Sequence, residues 1–437
     1  MKKLLAVLGV SMAVLLGLIA YAAVGLKNEA PETKKVRVEA EVTPIAEVEA
    51  VTESKPAVTA AAKAAQTPVE DLLIEEEEAQ WDESLDTEQA DEIPALNADV
   101  VAHDELSYAY STLSDTERQL YDEIFAGIVN LMENVPVSTT DPMQLDKVFN
   151  CVLMDHPEIF YVNGYRYTKY TSKDVIKRIV FSASYVYDRQ EIASIAADID
   201  TVAQGIIMNV SPDASDYDKI KYIYDTIVRQ TEYDTEAPDN QNVISVLLNK
   251  RSVCQGYAKT MQLLLLKLKI PCSLVTGTVG EDRRHAWNVV KADGAWYYTD
   301  VTWGDASYIL EEGSSGELIV PDVNYDYLMV PYAEIAATHR AEPVTTLPDC
   351  VSMDDNYYVR EGLYFTDYNT DQLRAAFDRA QALGENYIML KCSSDDVYAR
   401  MYAELVDGQH IFDYVNGSDV SYSSNDEMRK LLFALKR

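Results

Sequence analysis

Apolar residues at helical spacing begin at about residue 101. Ser114 and Glu117 form a capping-box pattern, and Leu120, Ile124 and Ile128 follow on one helical face. This spacing predicts a helix that starts directly after Ser114.

The following residues alternate between helical and strand patterns. The predicted elements are a helix over 145–154 that ends at Asp155-His156-Pro157, a strand over 180–187, and helices near 190–209 and 217–231. From about 345 the pattern indicates a strand, a helix over 370–382, a strand over 387–391 and a helix from Ser394. The sequence therefore predicts an α+β body with a helical and mixed region over 101–214 and a small C-terminal α/β region over 345–437.

The first 26 residues contain an apolar run. Lys2 and Lys3 precede 23 residues without a charge, 4–26, which is enough to cross a bilayer at about 1.5 Å per residue. The run is typical either of a retained membrane anchor, which we favour, or of a signal peptide cleaved near Ala20-Tyr21-Ala22. Both interpretations place the rest of the chain outside the cytoplasm, on the cell membrane or secreted.

Residues 27–100 are strongly acidic. They contain 20 acids and 6 bases, a net charge of −14, and the acids are densest at Glu75–Glu78. Such a segment buries too little apolar surface to offset chain entropy. The sequence therefore predicts a disordered linker over 27–100.

The charge of the whole chain excludes some classes of partner. Among 437 residues there are 37 Lys and Arg against 72 Asp and Glu, a net charge of −35. Binding to nucleic acid or to anionic lipid depends on Lys and Arg. We therefore expect no nucleic-acid partner, and membrane contact through the N-terminal segment only. Five cysteines are too few for a disulfide scaffold or a metal cluster and leave one thiol unpaired.

Cys254 occupies the position that best suits a nucleophile. The segment Arg251-Ser252-Val253-Cys254 leads into a helix whose apolar positions Ala258, Met261, Leu265 and Leu268 share a stripe with Cys254. The peptide dipoles at a helix N-terminus favour a thiolate, and Lys250 and Arg251 add positive charge. The alternative is a small buried cysteine on a core helix.

A predicted hairpin supplies a base and an acid. If Asp293-Gly294 forms a two-residue turn, the numbers of facing residues sum to 587, so His285 faces Thr302 and Trp287 faces Asp300. His285 and Asp300 are then diagonal neighbours on one face, with side chains close enough to meet. A loop of odd length without a bulge would put Asp300 on the opposite face.

These three residues suit nucleophilic catalysis. Asp300 would orient His285, His285 would accept the proton of Cys254, and the thiolate would attack a carbonyl carbon. Three of the four tryptophans, Trp287, Trp296 and Trp303, lie on the hairpin. They either wall the site or pack across the strands.

Other chemically suggestive residues are weaker candidates. Asp305 could replace Asp300 but lies past the predicted strand end. Cys151 with His156 suggests a structural pair, and Cys272 a core position. Cys350 and Cys392 could form a disulfide or remain free thiols.

The three motifs together resemble those of a known superfamily. Cys254 in Val-Cys-Gln-Gly-Tyr-Ala, His285 in His-Ala-Trp-Asn and Asp300 in Tyr-Tyr-Thr-Asp-Val-Thr-Trp are similar in order and spacing to the transglutaminase-like superfamily, in its branch of exported bacterial proteins. The resemblance covers about 215–340. It implies a papain-like α+β fold, with the nucleophile on a helix packed against an antiparallel sheet, and it assigns Cys254, His285 and Asp300 as the triad.

The resemblance and the export pattern together predict a function. We expect a catalytic domain over 215–344 that cleaves amide bonds of peptide or protein substrates near the cell envelope through a thioester, without a metal or cofactor. No stretch resembles the calcium sites or the β-sandwich and barrel domains of animal transglutaminases. The alternatives are protein cross-linking, in which an amine accepts the acyl group, and a surface-binding module that performs no catalysis.

Overall fold

The computed structural model describes residues 72–81, 102–280, 282–305, 322–416 and 420–435. The described residues divide into two compact units, one formed by those between 72 and 364 and the other by those from Phe365 onward. The predicted membrane segment and most of the predicted linker lie outside the described residues. Within the described ranges, no helix is both long enough and apolar enough to span a membrane.

The first part of the larger unit combines helices with a four-stranded sheet. Its elements are β1 (Leu73–Gln80), α1 (Tyr108–Ser111), α2 (Asp115–Val129), β2 (Val135–Val137), α3 (Pro142–Asp155), β3 (Val162–Ser172), β4 (Val175–Tyr185) and α4 (Arg189–Ile207). The predicted capping box is formed, because the Ser114 side chain and the Glu117 side chain each bond the backbone of the other. Asp141 caps α3, which ends at Asp155, before the predicted His-Pro stop.

Strand β1 corrects the prediction of a linker that is disordered throughout. It pairs parallel to β3, at the edge of a sheet ordered β1-β3-β4-β2. Glu76 bonds the side chains of Lys169 and Tyr167, so β3 offsets part of the charge that favoured disorder. A side chain at Gly164 would place its Cβ 2.0 Å from the carbonyl oxygen of Leu73, so the glycine allows this close pairing.

The second part of the larger unit contains a buried helix and a four-stranded antiparallel sheet. Its elements are α5 (Asp216–Gln230), β5 (Glu232–Tyr233), a wide helical turn (Ser245–Asn249), β6 (Arg251–Ser252), α6 (Cys254–Lys267), β7 (Cys272–Val279), β8 (Arg283–Ala292), β9 (Ala295–Thr299), α7 (Val301–Gly304), α8 (Tyr332–Ile335), β10 (His339–Ala341) and α9 (Tyr357–Arg360). The antiparallel strands form a sheet ordered β10-β7-β8-β9. Ten of the fourteen residues of α6 are buried, so this helix is a core element.

One apolar core joins the two parts of the larger unit. It includes Leu120 of α2, Phe149 of α3, Tyr224 of α5, Leu264 of α6 and Tyr297 of β9. The predicted regions 101–214 and 215–344 therefore share one core. The mixture of helices and antiparallel sheet confirms the predicted α+β class.

Residues 345–364 group with the larger unit, whereas the predicted boundary is at 345. The N–H of Tyr332 donates to the carbonyl of Cys350 at 2.8 Å, and the Tyr358 hydroxyl donates to Asp326 Oδ1 at 2.6 Å. These long-range bonds hold the segment and give no signal in the local sequence pattern.

The smaller unit has the predicted α/β composition. Its elements are β11 (Tyr364–Phe365), α10 (Thr370–Leu383), β12 (Tyr387–Cys392), α11 (Asp395–Tyr402), β13 (Tyr422–Asn425) and β14 (Lys430–Ala434), and its sheet is ordered β11-β12-β14-β13. Asn369 and Ser394 cap the two helices. The predicted helices over 370–382 and from Ser394 and the predicted strand over 387–391 are therefore confirmed.

Candidate active site

Cys254 is the first residue of α6, as the sequence predicted. The N-cap position belongs to Val253, whose side chain has no oxygen and makes no cap bond. The amides of the first helical turn therefore lack a side-chain acceptor, and a helix N-terminus of this kind attracts a developing negative charge. The expected help from neighbouring cations is smaller than predicted, because Arg251 pairs with Asp234 and burial lowers the pKa of Lys250.

A buried hydroxyl network supports the first turn of α6. The Ser245 and Ser252 hydroxyl oxygens lie 2.6 Å apart, and the Ser252 hydroxyl lies 3.1 Å from the carbonyl oxygen of Asn240. A Cβ on Gly256 would lie 2.0 Å from Ser252 Oγ and 2.9 Å from the carbonyl oxygen of Asn240. The glycine at this position is therefore required for α6 to begin where it does.

We expect Gly256→Ala to lower the free energy of unfolding by about 1–3 kcal/mol, because the added methyl displaces the serine network. Alkylation of Cys254 should also slow, since the first turn of α6 must shift. Gly205→Ala is the matched control. A Cβ at Gly205 meets no atom within 4 Å, so this change on α4 should stabilise by up to about 1 kcal/mol. Equal stability of the two variants, measured by chemical denaturation, would contradict the prediction.

The hairpin has the predicted turn and register, but its ladder is shorter than predicted. Asp293 and Gly294 both have positive φ, and the pairs from Ala292↔Ala295 to Asn288↔Thr299 keep the predicted sum. The prediction that His285 faces Thr302 and Trp287 faces Asp300 is wrong. The chain leaves the ladder after Thr299, and Asp300 becomes the N-cap of α7.

Leaving the ladder brings Asp300 to His285 by a different route. Oδ1 of Asp300 accepts the backbone N–H groups of Thr302 and Trp303 at 2.9 and 3.2 Å. Its Oδ2 lies 2.7 Å from Nε2 of His285. A carboxylate can only accept a hydrogen bond, so Nε2 of His285 carries the proton and Nδ1 is left for the sulfur.

The charges at the site favour an ionised pair of Asp300 and His285. Burial opposes both charges, but His285 outweighs it for Asp300 and holds the pKa of that carboxyl well below its usual range. Burial likewise lowers the pKa of His285, whereas Asp300 and then Cys254 raise it, with a net result of about 10. His285 is therefore a cation in neutral solution.

Cys254 lies beside His285 without an aligned hydrogen bond. The nearby Cys254 side chain contributes to the raised pKa of His285. However, Nδ1 of His285 makes no hydrogen bond of regular geometry. Such bonds often tighten only when substrate is bound. All three side chains are closed to solvent, with exposures of 1% for Cys254 and 0% for His285 and Asp300.

Aromatic rings surround the histidine. Trp287 and Trp303 lie 5.9 and 6.0 Å from the His285 ring, measured between centroids. Trp296 instead packs on Tyr108 at 5.1 Å. Two of the three hairpin tryptophans thus wall the site, which excludes water and strengthens the charge interactions inside it.

His339, on β10, is a site residue that the sequence analysis missed. Its Nε2 lies 3.0 Å from the Asp300 oxygen that also binds His285. The one available signal was that, of the five histidines, only His285 and His339 fall within 215–344. No motif marks His339, because the antiparallel pairing of β10 with β7 brings it to the site.

His285, Asp300 and His339 also have the composition of a metal site. Within the described ranges, they form a group whose nearest ligand atoms all lie within 4.8 Å of one another. Both imidazole nitrogens, however, lie at hydrogen-bonding distance from one carboxylate oxygen. Hydrogen bonds therefore account for the close approach of the two Nε2 atoms to Oδ2 of Asp300, and we assign no metal to this group.

The weaker candidates have structural roles in the described chain. Asp305 accepts a 2.6 Å bond from the Tyr257 hydroxyl, whereas His285 binds Asp300. His156 bonds Glu158 and the carbonyl of Ala102 and packs on Phe125. Cys151, Cys272, Cys350 and Cys392 are buried free thiols, which for Cys350 and Cys392 is the second of the two predicted alternatives.

Comparisons with known proteins agree with the geometry of this region. Residues 200–301 match the profile of the transglutaminase-like superfamily. The comparison with curated proteins found no match.

Solved structures with partial similarity include a TGase, with 13% identity and a TM-score of 0.24, over 36% of this chain and 53% of that one. Another is a candidate cysteine protease from Cytophaga hutchinsonii, with 15% identity and a TM-score of 0.22, over 33% of this chain and 70% of that one. This chain thus spans about half the length of the first structure. Residues 200–301, which contain Cys254, His285 and Asp300, are a transglutaminase-like domain.

Proposed function

We propose that this protein is a thiol enzyme that cleaves amide bonds in peptides through a covalent thioester on Cys254. One observation carries the proposal. A cysteine at an uncapped helix N-terminus, a histidine held by a buried carboxylate, and that carboxylate itself converge inside a transglutaminase-like domain. This is the arrangement that nucleophilic acyl transfer requires.

The proposed reaction has two steps. The Cys254 thiolate forms a bond to the carbonyl carbon, and the C–N bond breaks as the proton on Nδ1 of His285 passes to the leaving nitrogen. Water then attacks the thioester, His285 accepts a proton from it, and the C–S bond breaks to release a carboxylic acid. The free amides of the first turn of α6 are the donors for the oxyanion of both tetrahedral intermediates.

Hydrolysis is favoured over transfer to an amine. An amine competes with water only when a binding site holds it beside the thioester. Among the described residues, Cys254 packs with Ala258, Leu274 and Ala286, and His285 packs with Trp287 and Trp303; these side chains carry no charge that would hold an ammonium group. We extend the proposal to substrates at or outside the cell envelope, because the apolar run over 4–26 is typical of exported proteins.

Selective alkylation of Cys254 tests the proposal. We expect iodoacetamide to label Cys254 in the full-length chain at pH 6, and to label Cys151, Cys350 and Cys392 at least about 100-fold more slowly. Burial raises the pKa of each of those three thiols to about 12. Peptide mass spectrometry resolves the five sites, so the buried cysteines serve as internal controls.

His285→Ala is the informative variant. It should slow labelling of Cys254 at pH 6 by at least about 10-fold, because the imidazolium no longer stabilises the thiolate. A slow rate in the unaltered chain that does not depend on His285 would overturn the proposal and favour the binding module. Burial of Cys254 would not reconcile such a result with the proposal, because a thiol that iodoacetamide cannot reach is also out of reach of a peptide carbonyl.

A further inference from the structure

We propose that His339 is a positioning residue of the active site, which donates a hydrogen bond to Asp300 and thereby fixes the carboxylate that orients His285. The inference rests on the proposed function, since it assigns a role beside the same triad. His339 lies outside the matched residues 200–301.

The tautomer of His339 follows from its two contacts. Nε2 lies 3.0 Å from Asp300 Oδ2, which can only accept, so Nε2 carries a proton. Nδ1 lies 2.8 Å from the Thr338 hydroxyl. Burial lowers the pKa of His339, and the charge of His285 opposes its protonation further. His339 is therefore neutral. The Thr338 hydroxyl lies 3.4 Å from the carbonyl oxygen of Ile335 and 2.8 Å from Nδ1 of His339, and at the shorter distance it donates to Nδ1.

His339 completes the bonding of the Asp300 carboxylate. Oδ1 accepts two backbone N–H groups of α7, and Oδ2 accepts one imidazole from β8 and one from β10. Four donors occupy about all the lone-pair sites that a carboxylate offers. Asp300 is consequently held from two strands and a helix end, and its orientation no longer depends on His285 alone.

His339 also weakens the effect of the Asp300 carboxylate on the pKa of His285. A carboxylate shared among four donors attracts the imidazolium proton less strongly than one shared among three. The other titratable groups facing this cluster are Cys254 on α6, Tyr224 on α5, and Asp326 and Tyr327 in the segment before α8. Burial keeps both tyrosines neutral. The Tyr224 hydroxyl donates to the backbone carbonyls of Asp300 and Asn324 and so does not serve the Asp300 carboxylate.

The decisive experiment compares His339→Leu with His339→Gln in the full-length chain. We expect His339→Leu to slow iodoacetamide labelling of Cys254 at pH 6 by about 10- to 100-fold, because a hydrogen bond to a buried charge is lost. In ¹⁵N NMR of histidine-labelled protein, His285 should titrate at higher pH in this variant than in the unaltered chain. His339→Gln keeps an N–H donor of similar reach and should restore both values to within about threefold.

Two further variants separate positioning from stability. Val330→Ala removes buried apolar volume from the cluster that contains Val275 and Tyr298, and it removes none of the four donors to Asp300. It should lower the melting temperature but change neither the labelling rate nor the titration of His285. Thr338→Val frees Nδ1 of His339 and should act in the same direction as His339→Leu, by about 2- to 10-fold. It keeps the inference testable if His339→Leu does not fold.

The outcomes distinguish the two proposals. If the unaltered chain labels fast and His285→Ala slows it, but His339→Leu behaves like Val330→Ala, the inference about His339 fails and the proposed function stands. If the unaltered chain does not label fast, the proposed function fails. The titration of His285 with and without His339 still tests the hydrogen bond in that case, because it needs no activity.

Discussion

Replacing Cys254 by alanine is expected to abolish acyl transfer by the full-length chain. In a triad hydrolase the nucleophile accounts for about 10⁶-fold in kcat, so Cys254→Ala should lose activity by about that factor. The reason is structural as well as chemical. Alanine should keep the start of α6 and the hydroxyl network behind it, because it removes only the sulfur beside His285.

Hydroxylamine trapping measures this loss without knowledge of the natural substrate. The enzyme is mixed with a library of amine-blocked peptide amides and hydroxylamine, which converts a thioester to a hydroxamate that mass spectrometry detects. In ¹⁸O-labelled water without hydroxylamine, hydrolysis places the heavy oxygen in a new carboxylate. Transfer to a primary amine added as a probe would instead support cross-linking.

Cys272→Ala is the matched control for the loss of a buried thiol. Cys272 begins β7 and is 1% exposed, as is Cys254. Its removal should cost stability and leave hydroxamate formation intact. If Cys254→Ala kept the activity, or if Cys272→Ala abolished it in folded protein, Cys254 would not be the nucleophile.

The second large effect is expected for Asp300→Asn. Both histidines direct protonated Nε2 atoms at Asp300 Oδ2. If the asparagine keeps its amide oxygen on the backbone donors of Thr302 and Trp303, its NH₂ group faces the two histidines. Neutral His285 must then accept that hydrogen bond at Nε2 and carry its own proton on Nδ1. After the leaving nitrogen has departed, His285 then has no free lone pair facing the sulfur with which to accept a proton from the attacking water. In a serine triad the same change lowers kcat about 10⁴-fold, and we expect a loss of that order.

The pH dependence of stability gives Asp300→Asn a second readout. Because the pKa of His285 is raised to about 10, the folded state holds this proton more tightly than the unfolded state. The resulting stability is fully present below about pH 6.5 and is lost as the pH rises toward 10. Without the carboxylate, burial lowers the pKa of His285 instead. The stability advantage of the unaltered chain over Asp300→Asn should therefore shrink between pH 6.5 and 10 in chemical denaturation.

Asp305→Asn provides the matched control for this substitution. Asp305 lies at the other end of α7, and an asparagine oxygen can still accept the hydroxyl of Tyr257. This variant should keep its activity and the pH slope of the unaltered chain. An advantage over Asp300→Asn that did not change between pH 6.5 and 10 would show that His285 does not draw its charge from Asp300.

Much of the fold could be predicted from local patterns. The capping box at Ser114, the caps at Asn369 and Ser394, and the two-residue turn at Asp293-Gly294 act within a few residues of their own position. The local sequence is therefore sufficient to predict these caps and this turn. Strand β1 is different, because its glutamates favour disorder until β3 supplies Lys169 and Tyr167.

From the sequence alone came the start of the nucleophile helix, the candidate Cys254, and the expected partnership of His285 with Asp300. Helix periodicity, a short-range rule, was sufficient for the first two. Hairpin parity was not sufficient for the third, because the predicted register ends at Thr299 and Asp300 reaches His285 as the N-cap of α7. The tertiary structure alone decided that Asp300 leaves the ladder to cap α7 and that His339 binds the same oxygen. The pairing of β10 with β7 joins residues about sixty positions apart, and no local pattern records which distant side chains will share a buried carboxylate.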